Sequence, residues 1–502
     1  MKPPARVRMV DEQRPTTDTV ASLAARVGIE TTPHRCEEIR AAISAGLDGY
    51  AALLDCDGEW VPAADRELGV TRDPDGAADP DNAFISRFEL GGGEGPVADL
   101  ILGVKDNIAV AGAPLTCGSA VFEAAVPGRD AAVVDRLLAA GATVIGKTNM
   151  DEMAYAPTGE TSAFGPARNP IADGRVTGGS SSGSAAAVAG GHVDAALGTD
   201  TGGSVRIPAA FCGLVGVKPS WGLVPQEGVV ELAHTLDHVG TLAPDVGTAA
   251  RVLDVIADGD ESVAAAVADP PALDELSVGI VQELFGDCVS STVRRTVRDR
   301  IDGMADAGAT VQEVSVPLVD SAVEMWNAIV NVEFSRFLAA RATPLFRREA
   351  VDPHWHRDAV AGLHDPDCSF GRVVQRKAVE GAYLLAEADG GHYVSARNGC
   401  RALADQFDAA LTKCDVLVGP TMATEPIERG AWDPDSYSSG GEDAVPPLAV
   451  NTRPANLAGL PAVSVPAGRP DTAPIGLQFV GAAGEDATVL AAAAAFERYR
   501  DD

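Results

Sequence analysis

Two glycine-serine stretches carry the residue types that could do chemistry. The first, RVTGGSSSGSAAAVAGG from Arg175, sets Ser180, Ser181, Ser182 and Ser184 between glycine pairs. The second, ALGTDTGGSVRIPAAFCG, places Gly202 and Gly203 directly before Ser204. Small consecutive residues free the backbone N–H groups of Thr201, Gly202, Gly203 and Ser204 to point one way, as in a nest that binds a developing oxyanion. A serine beside such a nest is a candidate nucleophile, and a serine nucleophile needs a base. A lysine can serve when burial keeps it neutral, because desolvation lowers its ordinary pKa of about 10.4 by several units. Lys105, ending LILGVK, and Lys147, in IGKTNMDE, both follow apolar runs. Each could equally be a strand-end lysine reaching water, and physical reasoning alone leaves the choice between them open.

Other chemistries fit these stretches less well. A flexible linker would not run straight into Ala185-Ala186-Ala187-Val188 and a buried strand. A phosphate loop needs a lysine after its glycines, and none follows. Gly179-Ser180-Ser181-Ser182-Gly183 matches G-x-S-x-G with Ser181 in the nucleophile's place, and His234 and His238 lie downstream. That motif should follow a strand and needs an upstream oxyanion loop, and neither is evident. Asp200 and Arg206 flank the second stretch and read as a pair that holds the loop rather than as catalytic groups.

Elements must hold these residues in place. LILGV, ATVIG and VDAALG are short apolar runs that read as buried strands. RDAAVVDRLLAAGA and SGSAAAVAGG read as the helices between them. The middle, about 250 to 410, reads as helical with one strand at LSVGIV. CDVLVGP, PAVSVPAG and PIGLQFVG return to strands before a last helix at EDATVLAAAAAFERYR. Helices alternating with such strands imply an α/β fold, a mixed, largely parallel twisted sheet covered by helices on both faces. The expected division is a helical segment and linker over 1–80, with the linker around TRDPDGAADPDNAF, and one large domain over 81–502.

Composition bounds the partners. The 502 residues carry a net charge of −33, and only six of the 39 basic residues are lysine. Nucleic acids and anionic membranes attract basic patches, so this balance argues against both. A dispersed acidic, lysine-poor surface suits a high-salt cytoplasm. The eight cysteines show no metal spacing and read as reduced thiols. No apolar run reaches the ~18 residues of a membrane span.

The motifs GVKDNI, GKTNMDEMAY, SAFGPARNP, GGSSSGSAAAVAGG, GTDTGGSVRIPAAFCGLVGVKP and PANLAGLPAVSVPAG, in this order, resemble the amidase signature family over about residues 85 to 500. The resemblance implies a Ser–cisSer–Lys triad with Lys105 as base, Ser180 as the bridging serine after a cis peptide bond, and Ser204 as nucleophile. Lys147 then becomes structural, and Ser181 and Ser184 become hydrogen-bonding and helix-capping residues. No metal or other cofactor is implied.

Within the family the run SWGLVPQEGVVELAHTLDHVG looks like the broad-specificity amidases often paired with nitrile hydratase. The glutaminase subunit of glutamyl-tRNA amidotransferases typically has an aspartate five residues before the proline of P-x-N-L-A-G, where this chain has Ala449. The favoured expectation is therefore an amidase that cleaves linear carboxylic acid amides to the acid and ammonia. The alternative is the glutaminase subunit of an amidotransferase. The partners expected are a small-molecule amide, no nucleic acid and no membrane, with a homodimer as the protein assembly.

Overall fold

The computed structural model describes residues 14–64, 66–72, 78–259, 262–433, 448–468 and 473–501. Its centre is one sheet of eleven strands: β1 (Phe84–Gly91), β2 (Ile101–Lys105), β3 (Thr143–Thr148), β4 (Ala195–Thr199), β5 (Val215–Lys218), β6 (Val239–Ala243), β7 (Ser277–Val281), β8 (Thr310–Val314), β9 (Val416–Pro420), β10 (Ala462–Pro466) and β11 (Gly476–Val480). The spatial order is β1-β3-β2-β4-β6-β5-β10-β11-β9-β7-β8. Strands β4, β5, β6, β9 and β11 are buried at every position. Both faces of these strands are therefore covered, which is why they read as continuous apolar runs.

The sheet is mixed, as expected, but less parallel than the alternation of strands and helices suggests. Parallel pairing is confined to β3-β2-β4 and to β9-β7-β8. The strands between these groups, from β4 through β6, β5, β10 and β11 to β9, pair antiparallel. Antiparallel neighbours need no helical crossover. Strands β10 and β11 pair as a hairpin, from Ala462↔Val480 to Pro466↔Gly476.

Small side chains let helices approach the sheet closely. Helix Ser182–Ala189 is buried from Ser182 to Val188 and packs on β2, β3 and β4. Ahead of the sheet, helix Thr17–Arg26 packs on helix Pro33–Trp60. Its N-terminus is capped by Thr16, whose hydroxyl accepts from the Thr19 amide at 3.1 Å. The linker expected around residues 71–84 lies partly outside the described residues, and Thr71 already pairs with Arg87 of β1.

Candidate active site

The parallel pairing of β2 with β4 decides where the site forms. Val104 lies opposite Leu197, so the two strands end side by side, one at Lys105 and the other at Thr199. The carboxyl ends of strands in open α/β sheets are where ligand crevices open. Residues 200–204 continue from β4, and the Gly/Ser stretch returns over the same end.

Lys105 is completely buried. Its Nζ donates to Ser180 Oγ at 2.8 Å, to Thr199 Oγ1 at 2.8 Å and to the Thr199 carbonyl at 3.3 Å. All three acceptors are neutral. Burial pushes the ammonium pKa down to about 7, against the pull of the carboxylates of Asp151, Asp200 and Asp237. Asn107 supports this arrangement by donating from Nδ2 to Thr199 Oγ1 at 3.2 Å and to the Val230 carbonyl at 3.2 Å.

The Gly179–Ser180 peptide bond is cis. Ser180 is fully buried, and its carbonyl accepts from the Asp151 amide at 3.2 Å. A β-carbon at Gly179 would land on the Asp151 carboxylate, so position 179 has room for glycine alone. Asp151 itself accepts from the amides of Gly159 at 2.8 Å and Thr161 at 3.0 Å. Burial raises its pKa to about 6 against those donors.

Ser204 is half-buried and lines a pocket of about 620 Å³ that opens to solvent. Its carbonyl accepts from the Ser181 amide at 3.2 Å, which joins the two glycine-serine stretches. Gly203 has φ +128°, a conformation that L side chains rarely adopt, and a β-carbon there would strike Thr452. The Gly203 amide donates to Asp200 Oδ1 at 2.7 Å. This corrects the expected set of four oxyanion donors, because the Gly203 N–H is already committed to a carboxylate. Thr201, Gly202 and Ser204 remain of that set.

Asp200 and Arg206 form a fully buried, two-pronged ion pair, with Nε–Oδ2 at 3.0 Å and Nη2–Oδ1 at 2.9 Å. Burial pushes the Asp200 carboxyl up, but Arg206 and the Asn456 amide more than offset it and hold the group well below the usual range. Arg206 also donates to Gln478 at 2.7 Å and to Asn456 at 2.6 Å. The pair thus ties the Ser204 loop to β11 and to helix Arg453–Leu457.

The structure separates the two lysines left open by physical reasoning. Lys147 is as buried as Lys105, but its Nζ faces Asp106 Oδ1 at 3.1 Å. Neither histidine of the elbow reading hydrogen-bonds a serine. His238 donates from Nδ1 to the Leu236 carbonyl at 2.7 Å, and His234 pairs with Gln226 at 2.9 Å. Ser181 and Ser184 hydrogen-bond as expected, and Ser181 is the N-cap residue of helix Ser182–Ala189, but neither side chain makes a capping hydrogen bond. Ser181 Oγ donates to the Thr199 carbonyl at 3.2 Å and Ser184 Oγ to the Leu197 carbonyl at 2.9 Å, because both hydroxyls turn to β4.

Several residues of the site escape sequence reasoning. Thr199 is legible only as the strand end before Asp200, and Asp151 only as part of GKTNMDE. Tyr155, Trp326, Arg376 and Arg453 line the pocket but lie far from either glycine-serine stretch. The Trp326 indole donates to the Thr201 carbonyl at 2.9 Å, and the Arg453 guanidinium lies 4.2 Å from its ring centre. Among the described residues there is no cluster of histidine, cysteine or carboxylate side chains able to hold a metal ion.

Fold and site together define an α/β enzyme of the C–N hydrolase class. The chain belongs to the amidase family, whose model, described as Amidase, matches residues 69–490. It is 44% identical to a glutamyl-tRNA(Gln) amidotransferase subunit from Natronomonas pharaonis over 82% of this chain and 99% of that protein. It is 43% identical to the corresponding subunit from Haloarcula marismortui, again over 82% and 99%. Among solved structures it is similar to the corresponding subunit from Thermotoga maritima, with a TM-score of 0.65 and 32% identity over 78% of this chain and 81% of that one. It is also similar to a structure described as an amidase, with a TM-score of 0.67 and 32% identity over 81% and 86%.

These relatives correct two expectations. The curated relatives at 43–44% identity are amidotransferase subunits, not the broad-specificity amidases that the run after Lys218 suggests. The partner expectation, a small amide with no nucleic acid, no membrane and a homodimer, does not stand as a whole. Relatives of this identity are named for one component of an enzyme acting on glutamyl-tRNA(Gln). A net acidic charge describes the whole surface and is silent on what a partner protein contributes. No helix of the described residues is long and apolar enough to cross a membrane.

Proposed function

We propose that this chain releases ammonia from a carboxamide through an acyl-enzyme on Ser204, and does so within an assembly of the kind named for its archaeal relatives. Neutral Lys105 takes a proton from Ser180 as Ser180 takes one from Ser204. Ser204 Oγ then bonds the amide carbon. The amides of Thr201, Gly202 and Ser204 receive the oxyanion, and the proton returns to the leaving nitrogen as the C–N bond breaks. Water cleaves the ester. The observation that carries this reading is the 2.8 Å hydrogen bond from a fully buried Lys105 to Ser180, at the end of the strand beside the Gly-Gly-Ser loop.

The test is to treat the full chain with a fluorophosphonate and map the adduct by peptide mass spectrometry. An adduct on Ser204 is expected, and one on Ser181 overturns the assignment. For the assembly, ammonia release from glutamine is measured with and without the other subunits of a relative's enzyme. A rise on their addition supports the role within an assembly, and an unchanged rate removes it.

A second reading, hydrolysis of carboxamides other than glutamine, is favoured by Ala449, which places a methyl group in the pocket wall. We also propose that the acidic surface suits high salt. Salt at 1 M shortens the Debye length to about 3 Å and so screens the mutual repulsion. The melting midpoint is expected to rise from low to molar KCl, and a flat midpoint counts against this.

A further inference from the structure

The peptide planes that lead into Ser204 are held by their carbonyls. The Asp200 carbonyl accepts from the His238 amide at 3.1 Å and from Asn456 Nδ2 at 3.0 Å. The Thr201 carbonyl accepts from the Trp326 indole at 2.9 Å, and the Gly202 carbonyl from Thr452 Oγ1 at 2.6 Å. The Gly203 carbonyl accepts from the Ile207 amide at 2.7 Å. These peptides are trans. In a trans peptide the C=O and N–H lie on opposite edges of one plane. A donor that fixes one carbonyl therefore also fixes the N–H of the residue that follows.

The Gly202–Gly203 plane behaves this way. Thr452 holds the Gly202 carbonyl, and the Gly203 N–H on the far edge meets Asp200 Oδ1 at 2.7 Å. The Thr201–Gly202 plane is held from outside in the same manner and ends differently. Trp326 holds its carbonyl, and the Gly202 N–H has no hydrogen-bond partner among the described residues. Gly202 is buried and lines the pocket beside Ser204. An unpaired buried N–H is costly, so an acceptor brought by a ligand satisfies it best. Trp326 reaches this plane from helix Ala322–Ala339, and a β-carbon at position 202 would lie 2.6 Å from its Nε1. The indole thus both requires glycine at 202 and sets how that glycine's peptide is turned.

We propose that Trp326 is a positioning residue for the oxyanion: its indole N–H holds the Thr201–Gly202 peptide so that the Gly202 N–H stays free for the negative oxygen formed when Ser204 adds to a carbonyl. This rests on the reading of Ser204 as nucleophile. The ring of Trp326 also walls the pocket, but the positioning resides in the N–H.

The experiment follows fluorophosphonate labelling of Ser204 in the full chain. Ser204 Oγ bonds phosphorus, fluoride leaves, and the serine proton passes through Ser180 to Lys105, while the phosphoryl oxygen gathers negative charge as a carbonyl oxygen would. The rate constant, the fraction labelled at completion and the pH midpoint are measured in the wild type, in Trp326→Phe and with benzothienylalanine at position 326. Benzothienylalanine keeps the bicyclic ring and has sulfur in place of the N–H. Both replacements should label about 10- to 100-fold more slowly, somewhat less than the ~10²–10³ lost when an oxyanion donor is deleted outright. Labelling should still reach completion and the pH midpoint should not move, because the Lys105 relay is intact. A ring-fluorinated tryptophan at 326, which keeps the N–H, should restore the rate.

A benzothienylalanine protein that labels at the wild-type rate overturns the proposal, and a slow Trp326→Phe beside it assigns the effect to ring shape. A lower labelled fraction at an unchanged rate constant marks a folding role and overturns it as well. A moved pH midpoint assigns the effect to the base and does the same. If the wild type carries no adduct on Ser204, the nucleophile reading fails and takes this proposal with it. An adduct on Ser204 with equal rates in wild type and variants overturns this proposal alone.

Discussion

Lys105 and Lys147 lie at the ends of neighbouring strands and are equally buried, yet they face opposite kinds of partner. Lys105 donates only to neutral oxygens, those of Ser180 and Thr199. Lys147 faces the carboxylate of Asp106, which also accepts from the Thr116 amide at 3.0 Å. A buried ammonium without an adjoining carboxylate gives up its proton more easily. Burial alone therefore does not make a base. Lys105 has no paired charge at bonding distance, and the carboxylates of Asp151, Asp200 and Asp237 act only from further away.

The largest effect should come from exchanging the two roles. Lys105→Ala should reduce ammonia release by at least about a thousandfold while the chain still folds, since its loss removes both the base and the relay. Lys147→Met should leave Asp106 buried without its cation and cost ~3–5 kcal/mol of stability. Chemical denaturation beside an ammonia assay measures both. A Lys105→Ala enzyme with an unchanged rate erases the contrast.

The contrast also has a pH signature. Lys105 must be neutral to act, and its pKa lies near 7. Below that value the proton is on and the relay is blocked, so the rate should rise with pH through about 7 and then level. Asp151, raised to about 6, ionises just below that window, and its negative charge favours the protonated lysine. Asp151→Asn should therefore move the rising limb to lower pH. A limb that stays in place assigns it to another group.

Smaller effects sharpen the picture around Lys105. Thr199→Val removes a hydroxyl that accepts from Nζ and should lower the rate about tenfold with little loss of stability. Ser184→Ala removes a hydrogen bond to the Leu197 carbonyl and should cost about 1 kcal/mol, leaving the pH profile unmoved. A Ser184→Ala profile that does shift would show that the hydroxyls of this end act as one network.

The lysine contrast is only half legible in the sequence. Lys105, Ser180 and Ser204 stand out because each sits in a local run of small or apolar residues. The choice between the lysines needs Asp106, whose partner across two strands no local pattern announces. Strands such as β4 and β9 are readable because burial on both faces leaves an unbroken apolar run. Edge strand β8 (TVQEV) is not, since its exposed positions admit polar residues. Strands β5 and β6 flank the loop carrying His234 and His238, and each is too short to show a period of its own. The pocket is the least legible part. Trp326 comes from helix Ala322–Ala339 in the middle of the chain and Arg453 from helix Arg453–Leu457 near its end, and the packing of these two helices brings them together.

The stack of Arg453 on Trp326 has an optical consequence. Indole emission shifts with the charge on its face and with the acceptor on its N–H. In this molecule the first is the Arg453 guanidinium, and the second is the Thr201 carbonyl of the loop that carries Ser204. A ligand in the pocket that moves the guanidinium or displaces the loop changes the surroundings of the same chromophore. A variant that keeps Trp326 alone of the five tryptophans would read that change by stopped flow, without a coupled assay or an added dye.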